Sequence, residues 1–343
     1  MNVISLFNGM GTLRQAFSDM NINIDKYYSS EIKPYAIELQ QHHFPDVIQV
    51  GNIENWKEWD IDWKTIDFIG SGSPCQDLSA AGKRAGINGS RSGLFFTFVE
   101  ILEHVKNLNP NVKFLQENVG SASKKDVGIM SRSLGVYPVR INSSLVTAQQ
   151  RDRYYWTNIK TKKTMFDTVS DIPLPKDRNI MFKDILTSGE TDKKKHTCLN
   201  TGSGSGGTQK YLKHRNETTG MITLIYEENN ELRVKTNTVK GYDVVTENDC
   251  LDLSFPTSKT RRGRVTKGKA PCLMQSNNNL FSYKDKKLRT VNKIEMCRLQ
   301  GFPDNYCDIL SQRKAGSLLG DGWTLPVIIH ILSFIDYKSS WGV

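Results

Sequence analysis

The chain has 343 residues, 38% hydrophobic and 24% charged, which fits a soluble globular protein built as two lobes or as one large domain with an insertion. A formal net charge of +10 points to a polyanionic partner, nucleic acid first. Six cysteines lie far apart with no C-x-x-C pair, which argues against a disulfide scaffold and a zinc site and fits a reducing compartment.

The residues 3–7, Val-Ile-Ser-Leu-Phe, predict a short buried strand, followed by a glycine turn and a helix over 12–20. A start this close to a strand is read as leaving no room for a signal or transit peptide. Residues 26–31 predict a second strand and 34–43 a helix with proline near its first turn. Further strands are expected at 66–69, 112–115 and 136–141, with helical stretches at 94–105 and 127–134 between them. Residues 154–159 are aromatic and β-rich. Such alternation predicts an α/β fold, a mostly parallel sheet with helices on both faces.

Past Lys160 the texture changes. Lysines cluster at Lys160, Lys162 and Lys163 and again at 193–195, and 201–207 is a Gly/Ser loop. Residues 222–226 and 232–234 predict a hairpin around Asn229-Asn230. The run Lys259-Thr260-Arg261-Arg262-Gly263-Arg264-Val265-Thr266-Lys267-Gly268-Lys269 has six basic residues in eleven and suits phosphate contacts. Helical periodicity returns at 293–299 and 325–334. The most apolar run, 325–335, is broken by His330 and Ser333, so no membrane span is expected. The layout is an α/β domain interrupted by a basic, irregular lobe, with the chain returning to the first domain.

Chemistry-bearing residues collect where the predicted strands end. Cys75, in Gly72-Ser73-Pro74-Cys75-Gln76, follows an apolar run, and ligands of open α/β sheets bind at the carboxyl ends of strands. A thiol there is a candidate nucleophile. Cys198, Cys250, Cys272, Cys297 and Cys307 are read as structural or incidental. Glu117, in Glu117-Asn118-Val119, stands after the next apolar run, where an acid would face the thiol. The turn Phe7-Asn8-Gly9-Met10-Gly11-Thr12 would expose amide donors at a helix start. Glu31, at the end of the second strand, is placed to accept from ribose hydroxyls. Glycine turn and strand-end acid together point to a nucleoside-bearing cofactor.

These motifs carry a resemblance to the DNA (cytosine-5) methyltransferases, of the compact bacterial or phage type. It runs over residues 3–159 and 289–334. The ordered motifs are Phe7-x-Gly9-x-Gly11, Glu31, Gly51-Asn52-Ile53, Pro74-Cys75-Gln76, Glu117-Asn118-Val119, Gln149-x-Arg151-x-Arg153, Glu295 with Leu299-Gln300-Gly301-Phe302-Pro303, and 320–327.

The resemblance implies an S-adenosylmethionine-dependent, Rossmann-like methyltransferase domain over 1–165 and 310–343, with a target-recognition domain over 166–309. It implies that Cys75 adds to carbon 6 of a flipped-out cytosine and that protonated Glu117 bridges ring nitrogen 3 and the exocyclic amine. Arg153 would contact the base carbonyl, with Arg151 as support. The cofactor would lie among Phe7, Gly9, Met10, Gly11, Thr12, Glu31, Ile32, Asn52, Ile53, Pro74, Leu94, Asp321, Gly322 and Trp323. Residues 76–93, with four glycines and Lys83, Arg84 and Arg91, would close over the DNA.

Departures from the family pattern are Asn8 and Thr12 in the glycine turn, Ile32 for an aromatic residue, Asn52 for an Asp, and Asp321-Gly322 for Asn-Ser. They imply tuned, not lost, cofactor binding. The branch acting on tRNA carries a Cys-Phe-Thr string, and this chain has none. The implied partners are duplex DNA and, where the enzyme is a restriction companion and not an orphan, a cognate endonuclease. A monomer in a bacterial cytoplasm, near the nucleoid, is expected.

Overall fold

The computed structural model describes residues 1–74, 93–185, 187, 225–253, 260, 263–272, 280–284, 287–290 and 292–337. The chain divides into two compact units. One comprises Met1–Ser143, Asp152–Lys176 and Gly322–Val343, the other Ser144–Arg151 and Asp177–Asp321. Residues 166–176 therefore group with the first unit, and 144–151 and 310–321 with the second, whereas the sequence had placed the borders at 165/166 and 309/310.

The first unit is built on a seven-stranded sheet. In chain order its elements are β1 (Asn2–Leu6), α1 (Thr12–Asp19), β2 (Lys26–Ser30), α2 (Pro34–His43), β3 (Ile48–Gln49), β4 (Ile66–Ser71), α3 (Leu94–Leu108), β5 (Lys113–Val119), α4 (Lys124–Leu134), β6 (Val139–Asn142) and β7 (Asp152–Thr157). The spatial order is β3-β2-β1-β4-β5-β7-β6. The first five strands in that order are parallel, and β7 runs antiparallel to both its neighbours. The nine residues between β6 and β7 are too few for a helical crossover, so β7 has to reverse direction.

Strand order turns around between β1 and β4: the chain moves outward to β2 and β3, then returns to the other side of β1. A crevice therefore opens at the carboxyl ends of these two strands. Helix α3 buries Phe95, Phe98, Ile101, Leu102 and Val105, a helical stripe packed with Ile66, Ile69 and Phe114 of β4 and β5. Each such side chain contributes about 1.5–3 kcal/mol of transfer free energy. On another flank α1 buries Leu13, Ala16 and Phe17, the last edge-on to Phe68 at 5.6 Å.

After β7 the first unit adds a hairpin, β8 (Thr161–Lys163) and β9 (Thr168–Ser170). The second unit holds β10 (Ile225–Glu228), β11 (Glu231–Lys235) and β12 (Tyr242–Val245) in one antiparallel sheet. Strands β13 (Cys250–Asp252), β14 (Arg264–Thr266), β15 (Leu280–Lys284) and β16 (Lys287–Thr290) form another. Asn229 and Asn230 join β10 and β11 at φ 53° and 60°, the double left-handed turn that the hairpin reading requires. Helix α5 (Lys293–Gln300) starts in an Asn292/Glu295 capping box and stops at left-handed Gly301.

Two further helices are α6 (Gln312–Asp321) and α7 (Leu325–Leu332). Together 312–332 is 21 residues at mean hydropathy 1.3, long and apolar enough by that measure to cross a membrane. However, the helical run is interrupted at Gly322-Trp323-Thr324, Pro326 sits in the first turn of α7, and 72% of the apolar window is buried inside the protein. Its hydrophobicity is that of core: α7 buries Leu325, Val327, Ile328, Ile331 and Leu332 and packs on α1.

Candidate functional site

The turn after β1 is held open by backbone geometry. Phe7, Gly9 and Gly11 all lie in the left-handed region, at φ 55°, 56° and 83°. Glycine adopts this freely; Phe7 does not, and so ends β1 one residue earlier than its sequence predicts. Gly9 N–H donates to Glu31 Oε2 (2.7 Å), while Glu31 Oε1 accepts from the amides of Ile32 (2.8 Å) and Lys33 (2.9 Å). The strand-end acid thus ties the β1 turn to the β2 turn and keeps acceptor capacity on Oε2.

Gln40, wholly buried in α2, donates to the Gly9 carbonyl (2.6 Å) and accepts from Ser29 Oγ (2.7 Å). Asn8 donates to the same Ser29 hydroxyl (2.9 Å) and accepts from Tyr27 (3.0 Å), whose phenol burial pushes above its ordinary range. This network gives Asn8 a place in the turn. The third turn joins it through Ser30 Oγ, which donates to the Gly51 carbonyl (2.7 Å). Asn52 caps the turn of 3-10 helix that follows, its Oδ1 accepting from Glu54 N–H (3.2 Å). Ile53 beside it is buried, whereas Ile32 is 69% exposed.

At the end of β4 the chain passes Trp323. A Cβ on Gly72 would stand 2.7 Å from Trp323 Nε1 and 3.3 Å from its Cε2. Only glycine fits that approach. Gly72→Ala is expected to destabilise the protein by about 1–3 kcal/mol, because the indole is buried and has to move. Urea unfolding checks this, and an unchanged midpoint would show that the ring yields freely.

Ser73, the next residue, is buried and clamped by β5. Gln116 Nε2 donates to its Oγ (2.9 Å), and Asn118 Nδ2 approaches its Oγ (3.3 Å) and carbonyl (3.4 Å). Period-two alternation puts Gln116 and Asn118 on one face of β5 and Glu117 between them on the other. Glu117 lies inside β5, not beyond it as the sequence reading had it. Its Oε1 meets Arg153 Nε at 2.8 Å, with the two side chains 10% and 12% exposed. Arg153 pairs across from Val119 and Tyr155 from Glu117, so the ion pair is the diagonal of one β5–β7 ladder face.

Other expected residues are placed as follows. Arg151 is 2% exposed, and its guanidinium donates to the Gly320 carbonyl (3.0 Å) and the Cys272 sulfur (3.1 Å) in the second unit. Gln149 donates to the Leu299 carbonyl (3.0 Å) and to Gln300 Oε1 (3.2 Å), and Gln300 donates to the Leu319 carbonyl. The Gln149-x-Arg151 and Leu299-Gln300 strings therefore brace one another. Asp321 ends α6; Met10 and Thr12 are buried, and Pro74 and Leu94 are partly exposed.

Cys75 itself lies outside the described residues, as do 76–92, Cys198, 193–195, 201–207, Lys259, Arg261 and Arg262. Sequence reasoning missed Gln40, Ser73 and Gln116. Gln40 had left a signal: a polar residue on the same α2 face as Ala36 and Leu39, both buried.

Comparison with known proteins identifies the family and the fold. The family described as C-5 cytosine-specific DNA methylase matches residues 1–336. Type II methyltransferase M1.ScrFI of Lactococcus lactis subsp. cremoris is 25% identical over 336 residues, spanning 95% of this chain and 75% of that one. Type II methyltransferase M.NgoPII of Neisseria gonorrhoeae is 26% identical over 89% of this chain and 86% of its own. Among solved structures, a putative DNA modification methyltransferase encoded within an E. coli prophage shares the fold at a TM-score of 0.58 and 19% identity, covering 97% of this chain and 98% of the other. Spodoptera frugiperda DNMT2 does so at 0.58 and 17%, with the same coverage. A mostly parallel sheet of this order, its turns gathered at one edge, and a match over nearly the whole length make the conclusion plain: this chain belongs to the C-5 cytosine-specific DNA methylase family, whose members use S-adenosylmethionine to methylate carbon 5 of cytosine in DNA.

Proposed function

We propose that this chain methylates a cytosine swung out of a specific duplex DNA site, with Cys75 as transient nucleophile and Glu117 and Arg153 holding the base. The observation that carries the reading is the Glu117–Arg153 pair on β5 and β7, in a strand that also clamps Ser73, two residues before Cys75 in the sequence. Cytosine carbon 5 is a poor nucleophile. A Cys75 thiolate bonding to carbon 6 would push the double-bond electrons onto carbon 5 and leave negative charge on the ring. A proton held by Glu117 at nitrogen 3 offsets that charge, and Arg153 supports the base carbonyl. With those electrons carbon 5 takes up the methyl group, and loss of the carbon 5 proton to a base then lets the sulfur–carbon bond break and restores the ring. Extruding the cytosine costs a few kcal/mol.

The residues fit S-adenosylmethionine: a turn opened by three left-handed residues, a carboxylate tied across two turns, and an exposed apolar Ile32. When bound, it supplies a methyl group on a positively charged sulfur. Phe7, Gly9, Met10, Gly11 and Thr12 would line it with Glu31 on the ribose and Ile32, Asn52 and Ile53 at the adenine; Pro74, Leu94, Asp321, Gly322 and Trp323 complete the proposed set. Glu31→Ala is expected to weaken S-adenosylhomocysteine binding about 10–100-fold, the worth of charge-assisted hydrogen bonds. Asn52→Ala, whose oxygen is already spent on a cap, should cost less than about tenfold. Calorimetry showing the opposite order would overturn this assignment.

The second unit, with the basic run 259–269, is proposed to recognise the target. Arg151 would act at one remove, by bracing that unit. Similarity to proteins named type II methyltransferase supports work beside a restriction endonuclease in a bacterial cytoplasm; similarity to Bacillus phage SPR orphan methyltransferase M.SPRI supports work without one. The chain is proposed to act as a monomer. The decisive assay incubates labelled methyl donor with duplex DNA or tRNA. Label in 5-methylcytosine of DNA alone is the expected result, and label in tRNA alone would reverse the substrate assignment.

A further inference from the structure

Eight consecutive residues after β7, Lys160-Thr161-Lys162-Lys163-Thr164-Met165-Phe166-Asp167, are all exposed. They make up β8 and the tip of the β8–β9 hairpin, and the methylation chemistry uses none of them. Met165 and Phe166, at the tip, are each 88% exposed. The tip is braced: Thr164 N–H and Oγ1 both donate to the Asp167 carbonyl (2.7 and 2.9 Å), and Asp167 N–H donates back to Thr164 Oγ1 (3.0 Å). Strand β9 is tied down in turn, Tyr137 N–H donating to the Thr168 carbonyl and Ser170 N–H to the Tyr137 carbonyl, each at 2.8 Å. Two large apolar side chains are thus presented to water on a built support.

Beside the tip lies a cavity of about 340 Å³ whose lining includes Arg132 and Lys163, the hydroxyl-bearing Tyr137, Thr164 and Thr168, and one acid, Asp167. Two cations among hydroxyl groups suit a phosphodiester. An adjacent aromatic ring suits a base face, and Phe and Met are side chains used as wedges between base steps. Lys160 is engaged elsewhere, with Asp171 at 3.8 Å and over the Phe334 ring at 5.5 Å, which leaves Lys162, Lys163 and Arg132 as the cations for a ligand.

The hairpin is also far from the reacting end. Arg153 pairs with Val119 at the carboxyl end of β5 and Thr157 with Leu115 near its start. Those four residues alone span about 14 Å. The chain then continues away to β8.

We propose that this hairpin is a second DNA-binding site, which grips a duplex segment other than the one being methylated: Lys162, Lys163 and Arg132 on phosphates, Phe166 and Met165 against bases. Charge complementarity selects this occupant. A second copy of the chain would bring the same lysines against these; a phospholipid headgroup is a phosphodiester too, but the chain belongs to a family that already engages DNA, and the vesicle arm of the test separates the two.

The test uses the whole protein. A random-sequence duplex is immobilised, protein is bound, and capture of a labelled second duplex is measured across salt concentrations. Wild type should capture it. Lys162→Gln with Lys163→Gln should lower the slope of log K against log salt by about two, and Phe166→Ala should reduce capture about tenfold at fixed salt. Methyl transfer to plasmid DNA at saturation should stay within about twofold of wild type in both variants, which shows that they are folded. If no protein, wild type included, transferred methyl groups, the methylation reading would fail while capture still decided this one. Capture unchanged in both variants would overturn the second site. So would wild-type binding to phosphatidylserine vesicles in place of the second duplex, or a solution mass that halves on Phe166→Ala.

Discussion

A Cys75→Ser protein is expected to bind duplex DNA like the wild type yet lose methyl transfer by at least about 10⁴-fold, the scale on which removal of a covalent nucleophile acts. A hydroxyl loses its proton far less readily than a thiol, and its oxygen is a poorer nucleophile toward an aromatic carbon. The second readout is a trap. With 5-fluorocytosine in the DNA, carbon 5 carries fluorine where a proton has to leave, so the sulfur–carbon 6 bond cannot break and wild type should migrate as a covalent complex on a denaturing gel. Cys75→Ser should not. Of the described cysteines, Cys250 has its thiol pushed well up by burial, Cys297 and Cys307 are wholly buried, and the partly exposed Cys272 accepts from Arg151. An adduct formed by Cys75→Ser, or transfer within about tenfold of wild type, would move the nucleophile elsewhere.

The first unit was legible because its elements obey local rules. Proline at the first turn and a run to His43 defined α2 to the residue, and the spacing of Phe95, Phe98, Ile101, Leu102 and Val105 announced α3. The paired asparagines announced the β10–β11 turn. What stayed hidden depends on distant partners. Glu117 was read as lying past its strand because Gln116 and Glu117 look like a polar loop; both are buried, the Gln116 amide nitrogen donating to Ser73 and Glu117 pairing with Arg153. Helix α6 is spelled Gln-Arg-Lys-Ala-Gly-Ser, and only tertiary packing makes Gly316 and Gly320 acceptable inside it. The strands of the second unit are three to five residues long, too short for alternation to stand out. Residues 144–151 show the same dependence on distant partners: they sit between two strands of one unit yet group with the other.

The Glu117–Arg153 pair makes the second large prediction, and four proteins separate its parts. Glu117→Gln keeps one donor and one acceptor for the cytosine edge but cannot deliver a proton, so kcat should fall about 10²–10³-fold with DNA affinity little changed. Glu117→Ala, which also loses the hydrogen bonds, should fall further and bind the extruded base less well. Arg153→Ala leaves a nearly buried carboxylate without its charged neighbour, and urea unfolding should report a loss of about 1–3 kcal/mol. Adding Glu117→Gln to Arg153→Ala should recover part of that stability without recovering turnover, since the neutral amide needs no counter-charge. The cycle would then show a coupling of about 0.5–3 kcal/mol in stability. Additive stabilities would mean that the pair is not coupled in the folded protein, and full turnover in Glu117→Gln would mean that the proton reaches nitrogen 3 from another group.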